Sequence, residues 1–160
     1  MKHAKLLIIL ISVTCAALLL AFPDPAASVV RRIRGQSVYV PAYSHIYHGD
    51  REAPFYLTVT LSIRNTDPAS PITLLSVQYF DTNGKLLTSY LEKEMTLRPM
   101  GSVDYVVKES DKKGGSGANF IVKWKSRAEV TEPIVETIMI STALQQGISF
   151  SSRGQAIEEQ

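Results

Sequence analysis

The sequence predicts an all-β protein: an immunoglobulin-like antiparallel β-sandwich of about eight short strands, after an N-terminal signal or anchor helix. One segment of nine residues alternates strictly between apolar and polar side chains, as a half-buried strand does. Other short apolar runs are separated by turn-forming residues, which is the pattern of a sandwich or barrel. With 160 residues the chain has room for one core.

The N-terminal segment predicts export. Lys2 and Lys5 precede an uncharged apolar stretch over residues 6–22. A Pro-Asp-Pro break and small residues follow, as in a secretory signal peptide with its cleavage site after Ser28. Residues 1–28 are therefore predicted to be a signal peptide or signal anchor.

Two other interpretations of this segment stay open. As a helix, 17 residues would span roughly 25 Å, slightly short for a bilayer core but feasible for an uncleaved anchor. Lipidation at Cys15 is disfavoured, because the residues before it, Ser12-Val13-Thr14, make a poor lipobox. The predicted location is periplasmic or extracellular, with membrane contact only through residues 6–22 if they are retained.

A basic linker is predicted over residues 29–36. Its arginines Arg31, Arg32 and Arg34 balance the positive N-terminus, so the charge distribution does not orient the segment cleanly and argues against free translocation. The single β-sandwich domain is predicted to extend over residues 37–157, followed by a tail at 158–160.

The strands follow from apolar alternation between turn signals. The strictest alternation lies at 55–63, and Asn83-Gly84 predicts a hairpin with a type I′ turn. Residues 142–146 offer only a hint of one helical turn. The predicted strands lie at residues 37–40, 43–47, 55–63, 72–80, 85–91, 103–108, 120–124, 134–141 and 148–150.

Composition argues against several function classes. The formal net charge is only +2, from 17 basic and 15 acidic residues, so the broad positive field of a nucleic-acid-binding protein is missing. Cys15 is the only cysteine, so a mature domain has no thiol for a disulfide, a metal site or a nucleophile. No cofactor-binding motif is present, and no cofactor is expected.

The glycine-rich stretch after the 103–108 strand is the most distinctive motif. Its glycines permit unusual backbone conformations, and successive N–H groups there could hold an anion. The stretch leads into a strand rather than a helix, so it is not a nucleotide-binding P-loop. The alternative is a shaped loop held by its own side chains. The candidate ligand-binding residues are Asp111, Gly114, Gly115, Ser116, Gly117 and Asn119.

His45 and His48, with Asp50 close behind, have the side-chain types of a divalent-metal site. In a strand the i, i+3 spacing directs the two histidines to opposite faces, which disfavours joint ligation. They are weak metal candidates, and no catalytic residue is predicted, because no serine-hydrolase elbow is present and the carboxylate pairs Glu92/Glu94 and Glu158/Glu159 lie in polar, solvated surroundings.

Several segments resemble a bacterial family known as domain of unknown function family 3124. The resemblance rests on residues 39–47, 61–66, 79–85, 114–124 and 147–150, of which Gly-Gly-Ser-Gly-Ala-Asn-Phe is the most specific. It covers nearly the whole predicted domain. It implies a compact exported β-domain and supplies no activity, ligand or catalytic residue.

The leading functional hypothesis is a non-enzymatic cell-envelope module that binds an envelope protein or a polysaccharide through its loops. One alternative is a metal-dependent or hydrolytic enzyme that uses His45, His48 and Asp50. Another is a structural subunit of a membrane-anchored assembly, which would follow if residues 6–22 remain as an anchor.

Overall fold

The computed structural model describes residues 30–142 and 147–159, and it confirms the all-β class. Within those residues there are twelve strands and no helix. The expected N-terminal helix and residues 143–146 lie outside the described residues. The strands are β1 (Arg32–Pro41), β2 (His45–His48), β3 (Ala53–Tyr56), β4 (Thr58–Arg64), β5 (Ile72–Phe80), β6 (Leu86–Ser89), β7 (Met95–Leu97), β8 (Ser102–Val107), β9 (Asn119–Thr131), β10 (Ile134–Ser141), β11 (Ile148–Arg153) and β12 (Gln155–Glu159).

The strands form two main antiparallel sheets and one small hairpin. The six-stranded sheet has the order β12-β1-β9-β5-β6, with β7 also paired to β5. The four-stranded sheet has the order β11-β10-β4-β8, and β2 pairs only with β3. The chain passes from β11 in one sheet to β12 in the other through Gly154, whose N–H donates to the carbonyl of Val135 at 2.8 Å.

The core lies where the apolar faces of the two main sheets meet. The six-stranded sheet contributes Trp124 and Phe120, and the four-stranded sheet contributes Leu61 and Met139, all at most 1% exposed. Because side chains alternate between the faces of a strand, the period-two pattern of the sequence becomes one buried and one exposed face.

The predicted strand over 55–63 divides into β3 and β4. The break falls at Leu57, whose N–H donates to the carbonyl of Ser44 at 3.0 Å instead of to a neighbouring strand. Phe55, Leu57 and Val59 all remain buried across the break, so the apolar alternation is continuous although the pairing partner changes. With this division and two further short edge strands, β7 and β12, the nine predicted segments become twelve strands.

The sheet extends past both predicted boundaries of the domain. β1 begins at Arg32, within the predicted basic linker 29–36, and β12 continues to Glu159, within the predicted tail 158–160. The two ends stabilise each other, because β1 and β12 pair antiparallel and Arg31 forms an ion pair with Glu159. Arg31–Gln160 forms one compact unit.

The β5–β6 hairpin is confirmed, but its turn differs from the predicted type I′. A type I′ turn needs positive φ at both central residues, and here Gly84 has a φ of 78° whereas Asn83 does not have positive φ. Asp81 closes the turn: its Oδ1 accepts the N–H groups of Asn83 and Lys85, each at 2.9 Å. Five residues connect Phe80 to Leu86, and a bulge interrupts the strand pairing next to the turn, between Tyr79 and Phe80.

The turn after β4 is a buried polar hub. Asn65 donates through Nδ2 to the carbonyls of Ser70 at 2.9 Å and Arg98 at 3.0 Å, and it accepts the Asp67 N–H at 3.1 Å. Asp67 is 1% exposed, and its pKa is lowered by hydrogen bonds from backbone N–H groups, with a further contribution from Arg32. The hub ties the β4–β5 and β7–β8 connections together at one end of the sandwich.

Candidate binding site

The glycine run after β8 is packed against the body of the domain. Gly114 and Ala118 are buried, whereas Lys112 and Lys113, just before the run, are exposed. Backbone bonds attach the run to the segment after β1: Ala42 donates to Ala118 at 2.8 Å, and Ser44 donates to Gly115 at 3.0 Å. These bonds therefore attach the glycine run to the domain, while the turn before it faces solvent.

Gly114 occupies a place that only a glycine fits. A Cβ built on it would lie 2.5 Å from Ser44 Oγ and 2.8 Å from Tyr79 Cζ, and nearer still to the Tyr79 hydroxyl. Those two hydroxyl groups share a buried hydrogen bond of 2.9 Å, and burial raises the pKa of Tyr79. The position requires glycine because the backbone approaches the Ser44 and Tyr79 side chains too closely for a Cβ.

Thr82 attaches the glycine run to the β5–β6 turn. Its N–H and its hydroxyl both donate to the carbonyl of Gly114, at 2.9 Å and 3.0 Å, and its Oγ1 accepts the Gly117 N–H at 3.0 Å. Gly115 has a φ of 81°, a conformation that glycine adopts without strain. We call the set Ser44, Tyr79, Thr82, Gly114 and Gly117 the glycine hub.

The glycine hub unites three segments that are far apart in the sequence. Ser44 comes from the 39–47 segment, Tyr79 and Thr82 from 79–85, and the glycines from 114–124. These are three of the five segments on which the family resemblance rests. The most specific part of the motif is therefore explained by packing and turn geometry.

The predicted ligand-binding residues are divided by the fold. Asp111 accepts the Lys113 N–H at 3.1 Å and so shapes the exposed turn, while Ser116 is half-buried. Asn119 begins β9, where it pairs with Pro41 on one side and Phe80 on the other. Of the predicted set, only Asp111 lines one of the clefts described next.

A cleft of about 580 Å³ opens between Tyr90, the end of β8 and the exposed turn. Tyr90 supplies the aromatic ring of its lining, and that ring packs against two rings behind it: its centroid lies 5.0 Å from that of Tyr105 and 6.1 Å from that of Phe120. Burial raises the pKa of Tyr90. The lining residues are Tyr90, Val106, Val107, Lys108, Ser110, Asp111, Lys112 and Lys113.

A second, shallower cleft of about 400 Å³ lies on the other side of Lys112. It is lined by Tyr56, Glu109, Ser110 and Lys112. The Lys112 ammonium lies 4.2 Å from the centroid of the Tyr56 ring, within cation–π range. This contact holds the Lys112 side chain between the two clefts.

The sequence pattern did not identify these cleft-lining residues. Lys108, Lys112, Lys113, Tyr56 and Tyr90 were not among the predicted site residues. The available signal was the run Lys-Glu-Ser-Asp-Lys-Lys directly before the glycines. A lysine run is usually a solvated surface, and only the fold places it beside two tyrosines.

His45 and His48 lie on opposite faces of the β2–β3 hairpin, as their spacing predicts. His45 is paired with Tyr56 and packs edge-on against its ring at 5.8 Å, whereas His48 packs against Phe55 at 5.9 Å. Within residues 30–142 and 147–159 no group of three or more His, Cys, Asp or Glu side chains could hold a metal ion.

Comparison with known proteins places the chain in a family. The model of the family described as "Protein of unknown function (DUF3124)" matches residues 35–157. The chain belongs to this family. The match confirms the resemblance inferred from the sequence segments, and the family's description names no activity.

Other comparisons add little. No curated protein matches the chain. A solved structure titled "Crystal Structure of Thermotoga maritima 1070" is similar at 13% identity and a TM-score of 0.46, over 78% of this chain and 97% of that one. No helix in the described part of the chain is long and apolar enough to cross a membrane.

Proposed function

We propose that this protein is an exported, non-enzymatic binding module of the cell envelope, and that its ligand is a polysaccharide carrying negative charge. The observation that supports this most strongly is the pair of clefts on either side of Lys112. They combine lysine amines with tyrosine rings on a loop that the glycine hub holds in place. Loops on a rigid β scaffold commonly carry the binding residues of a domain.

The chemistry of the clefts favours an acidic sugar chain. Tyrosine rings offer flat apolar surfaces against which pyranose rings can pack, and lysine amines pair with carboxylate or phosphate groups. Two carboxylates also line the clefts, Asp111 in the first and Glu109 in the second, and the three lysines outnumber them; Asp111 accepts the Lys113 N–H at 3.1 Å. The amines of Lys108, Lys112 and Lys113 remain exposed to a ligand.

Export is supported by the N-terminal pattern alone. The basic start, the apolar stretch over 6–22 and the small residues before residue 29 are typical of a secretory signal. N-terminal sequencing of the mature protein from its native host tests this part. A mature chain that begins at Met1 and is recovered from the cytoplasmic fraction would contradict it.

Titration calorimetry with polygalacturonate as the anionic probe, and with dextran as the neutral one, tests the binding proposal. We expect polygalacturonate to bind, dextran not to bind, and added salt to weaken the complex because surface charge pairs are screened. A Lys112→Gln/Lys113→Gln variant should bind at least about tenfold more weakly, since each lost amine removes a charge-assisted contact.

The matched control is Lys93→Gln, which removes an exposed lysine that does not line either cleft. It should bind as the unmodified protein does. Equal binding of both polysaccharides, or unchanged affinity in the double variant, would reject the cleft as an anionic-sugar site. Retention of a specific envelope protein, without any polysaccharide binding, would assign the surface to a protein partner instead.

A further inference from the structure

β8 is an open edge of the four-stranded sheet. It pairs with β4 over all six of its residues in one continuous register, and no other described strand pairs with it. The strand contains no proline, no lysine and no bulge, which are the usual means of protecting an exposed edge. By contrast, the β12 edge has a bulge and ends in two charged residues, Glu158 and Glu159.

The outer face of this edge has an ordered charge pattern. Asp104 and Val106 lie on the exposed face, and Lys108 continues the alternation directly after the strand. Val106 is 52% exposed, and cross-strand pairing aligns it with Thr60 and then Ile138 on the same outer face. Every second residue along the edge therefore follows the order acidic, apolar, basic: Asp104, Val106, Lys108.

We propose that β8 pairs antiparallel with β8 of a second copy of this chain, with Val106 opposite Val106 on the two-fold axis. In this register Asp104 lies opposite Lys108 of the second copy, and Lys108 lies opposite its Asp104. Opposite charges facing each other across two strands stabilise the pairing. A two-fold interface uses the same patch on both subunits, so the pattern must be self-complementary, as this one is.

Neighbouring registers lack that complementarity. Centring the axis on Tyr105 places Asp104 opposite Val106, which leaves both charges unpaired. Centring it on Asp104 places two carboxylates opposite each other, and like charges directly opposite destabilise a strand pair.

This pairing goes beyond the proposed function and can fail independently of it. Val106 and Lys108 line the first cleft as well as this edge, whereas Asp104 lines neither cleft, so Asp104→Lys tests the pairing separately from polysaccharide binding. The contact is a single strand pair, smaller than the surface that permanent complexes bury, so the dimer is expected to depend on protein concentration.

Cysteine cross-linking of the full chain, in detergent micelles, tests the register. In a Cys15→Ser background, Val106→Cys should form a disulfide-linked dimer under mild oxidation, because residues directly opposite have Cβ atoms about 5 Å apart. Ile140→Cys is the matched control: Ile140 is 45% exposed on the same outer face but lies in the inner strand β10. It should stay monomeric. Equal cross-linking of both variants, or of neither, overturns the proposal.

Charge reversal tests the paired side chains. Asp104→Lys and Lys108→Asp should each weaken dimerisation by about tenfold in sedimentation experiments, because each places like charges opposite each other twice. The double variant Asp104→Lys/Lys108→Asp should restore it. Glu92→Lys, an exposed reversal in the β6–β7 connection, should leave it unchanged.

Circular dichroism identifies any variant that has not folded, and the remaining single reversal then serves in its place. A wild-type chain that stays monomeric at every concentration overturns the proposal. So do single reversals that dimerise like the wild type, or a double variant that is no better than either single one.

Discussion

Replacing Gly114 by alanine should damage the glycine hub more than its small size suggests. The added methyl would overlap the hydroxyl of Tyr79 and lie 2.5 Å from Ser44 Oγ, in a place where all three residues are buried. Forcing one methyl into a packed interior destabilises a protein by about 1–3 kcal/mol. Separating the Ser44–Tyr79 hydrogen bond adds about 1 kcal/mol. We expect a loss of about 2–4 kcal/mol in the free energy of unfolding.

Urea unfolding, followed by the fluorescence of the single tryptophan Trp124, measures this loss, because Trp124 is 1% exposed in the folded domain. The matched control is Gly147→Ala, where a methyl would meet nothing within 4 Å. It should change the free energy of unfolding by less than about 0.5 kcal/mol.

A double-mutant cycle shows whether the cause is the overlap with Tyr79. Tyr79→Phe alone should destabilise by about 1–2 kcal/mol, because it leaves the buried Ser44 hydroxyl without its partner. In Gly114→Ala/Tyr79→Phe the closest overlap, with the Tyr79 hydroxyl, is removed, so the combined loss should be smaller than the sum of the two single losses by about 1 kcal/mol. Strict additivity, or a Gly114→Ala variant as stable as Gly147→Ala, would refute the steric reasoning.

Three further predictions concern buried polar groups. Asn65→Ala should lower the free energy of unfolding by about 2–4 kcal/mol, since it leaves buried carbonyls and the Asp67 N–H without partners, and a urea titration measures this loss. The Asp67 pKa is lower in the folded than in the unfolded state, so the ionised carboxylate stabilises the fold fully above about pH 4 and loses this effect as the pH falls through the folded-state pKa. Thermal melts of Asp67→Asn should therefore show a smaller loss of stability in acid than the wild type does. An acid profile identical to that of the wild type would contradict this. The Tyr105 hydroxyl is buried and has no hydrogen-bond partner among the described residues. The free energy of unfolding of Tyr105→Phe, measured by urea titration, should therefore be within about 0.5 kcal/mol of the wild-type value or higher. A loss as large as that of Tyr79→Phe would contradict this.

The long strands could be predicted because their pattern is local. β5 and β10 lie where apolar alternation places them, since a residue's face in a strand depends only on its position. β7 and β12 were missed because both are edge strands of only three and five residues, too short to show a clear apolar alternation. Such strands form because a neighbour offers a pairing edge, which depends on contacts distant in the sequence. The same dependence hid the division of the predicted 55–63 strand at Leu57.

The candidate site was only partly predictable for a related reason. Glycines in sequence suggest an accessible backbone, yet Gly114 is buried because Tyr79 and Ser44 approach it from other parts of the chain. The sequence also gave no means of placing Tyr56 beside Lys112, since that contact arises from the meeting of β3 with the turn before the glycines. Residue type indicated the location of the loop, and tertiary packing determined which of its residues face solvent.

The family motif and the candidate cleft therefore have different physical roles. The residues that make the motif specific stabilise the glycine hub: Thr82 through its hydrogen bonds, and Gly114 because no larger residue fits its position. Lys108, Lys112 and Lys113 lie outside every segment on which the resemblance rests. Membership of the family thus implies the scaffold and the position of the loop, but not the charge that the loop carries. If the clefts bind acidic polysaccharides, ligand preference among relatives should follow the residues at 108–113, while the glycine run keeps the loop in place.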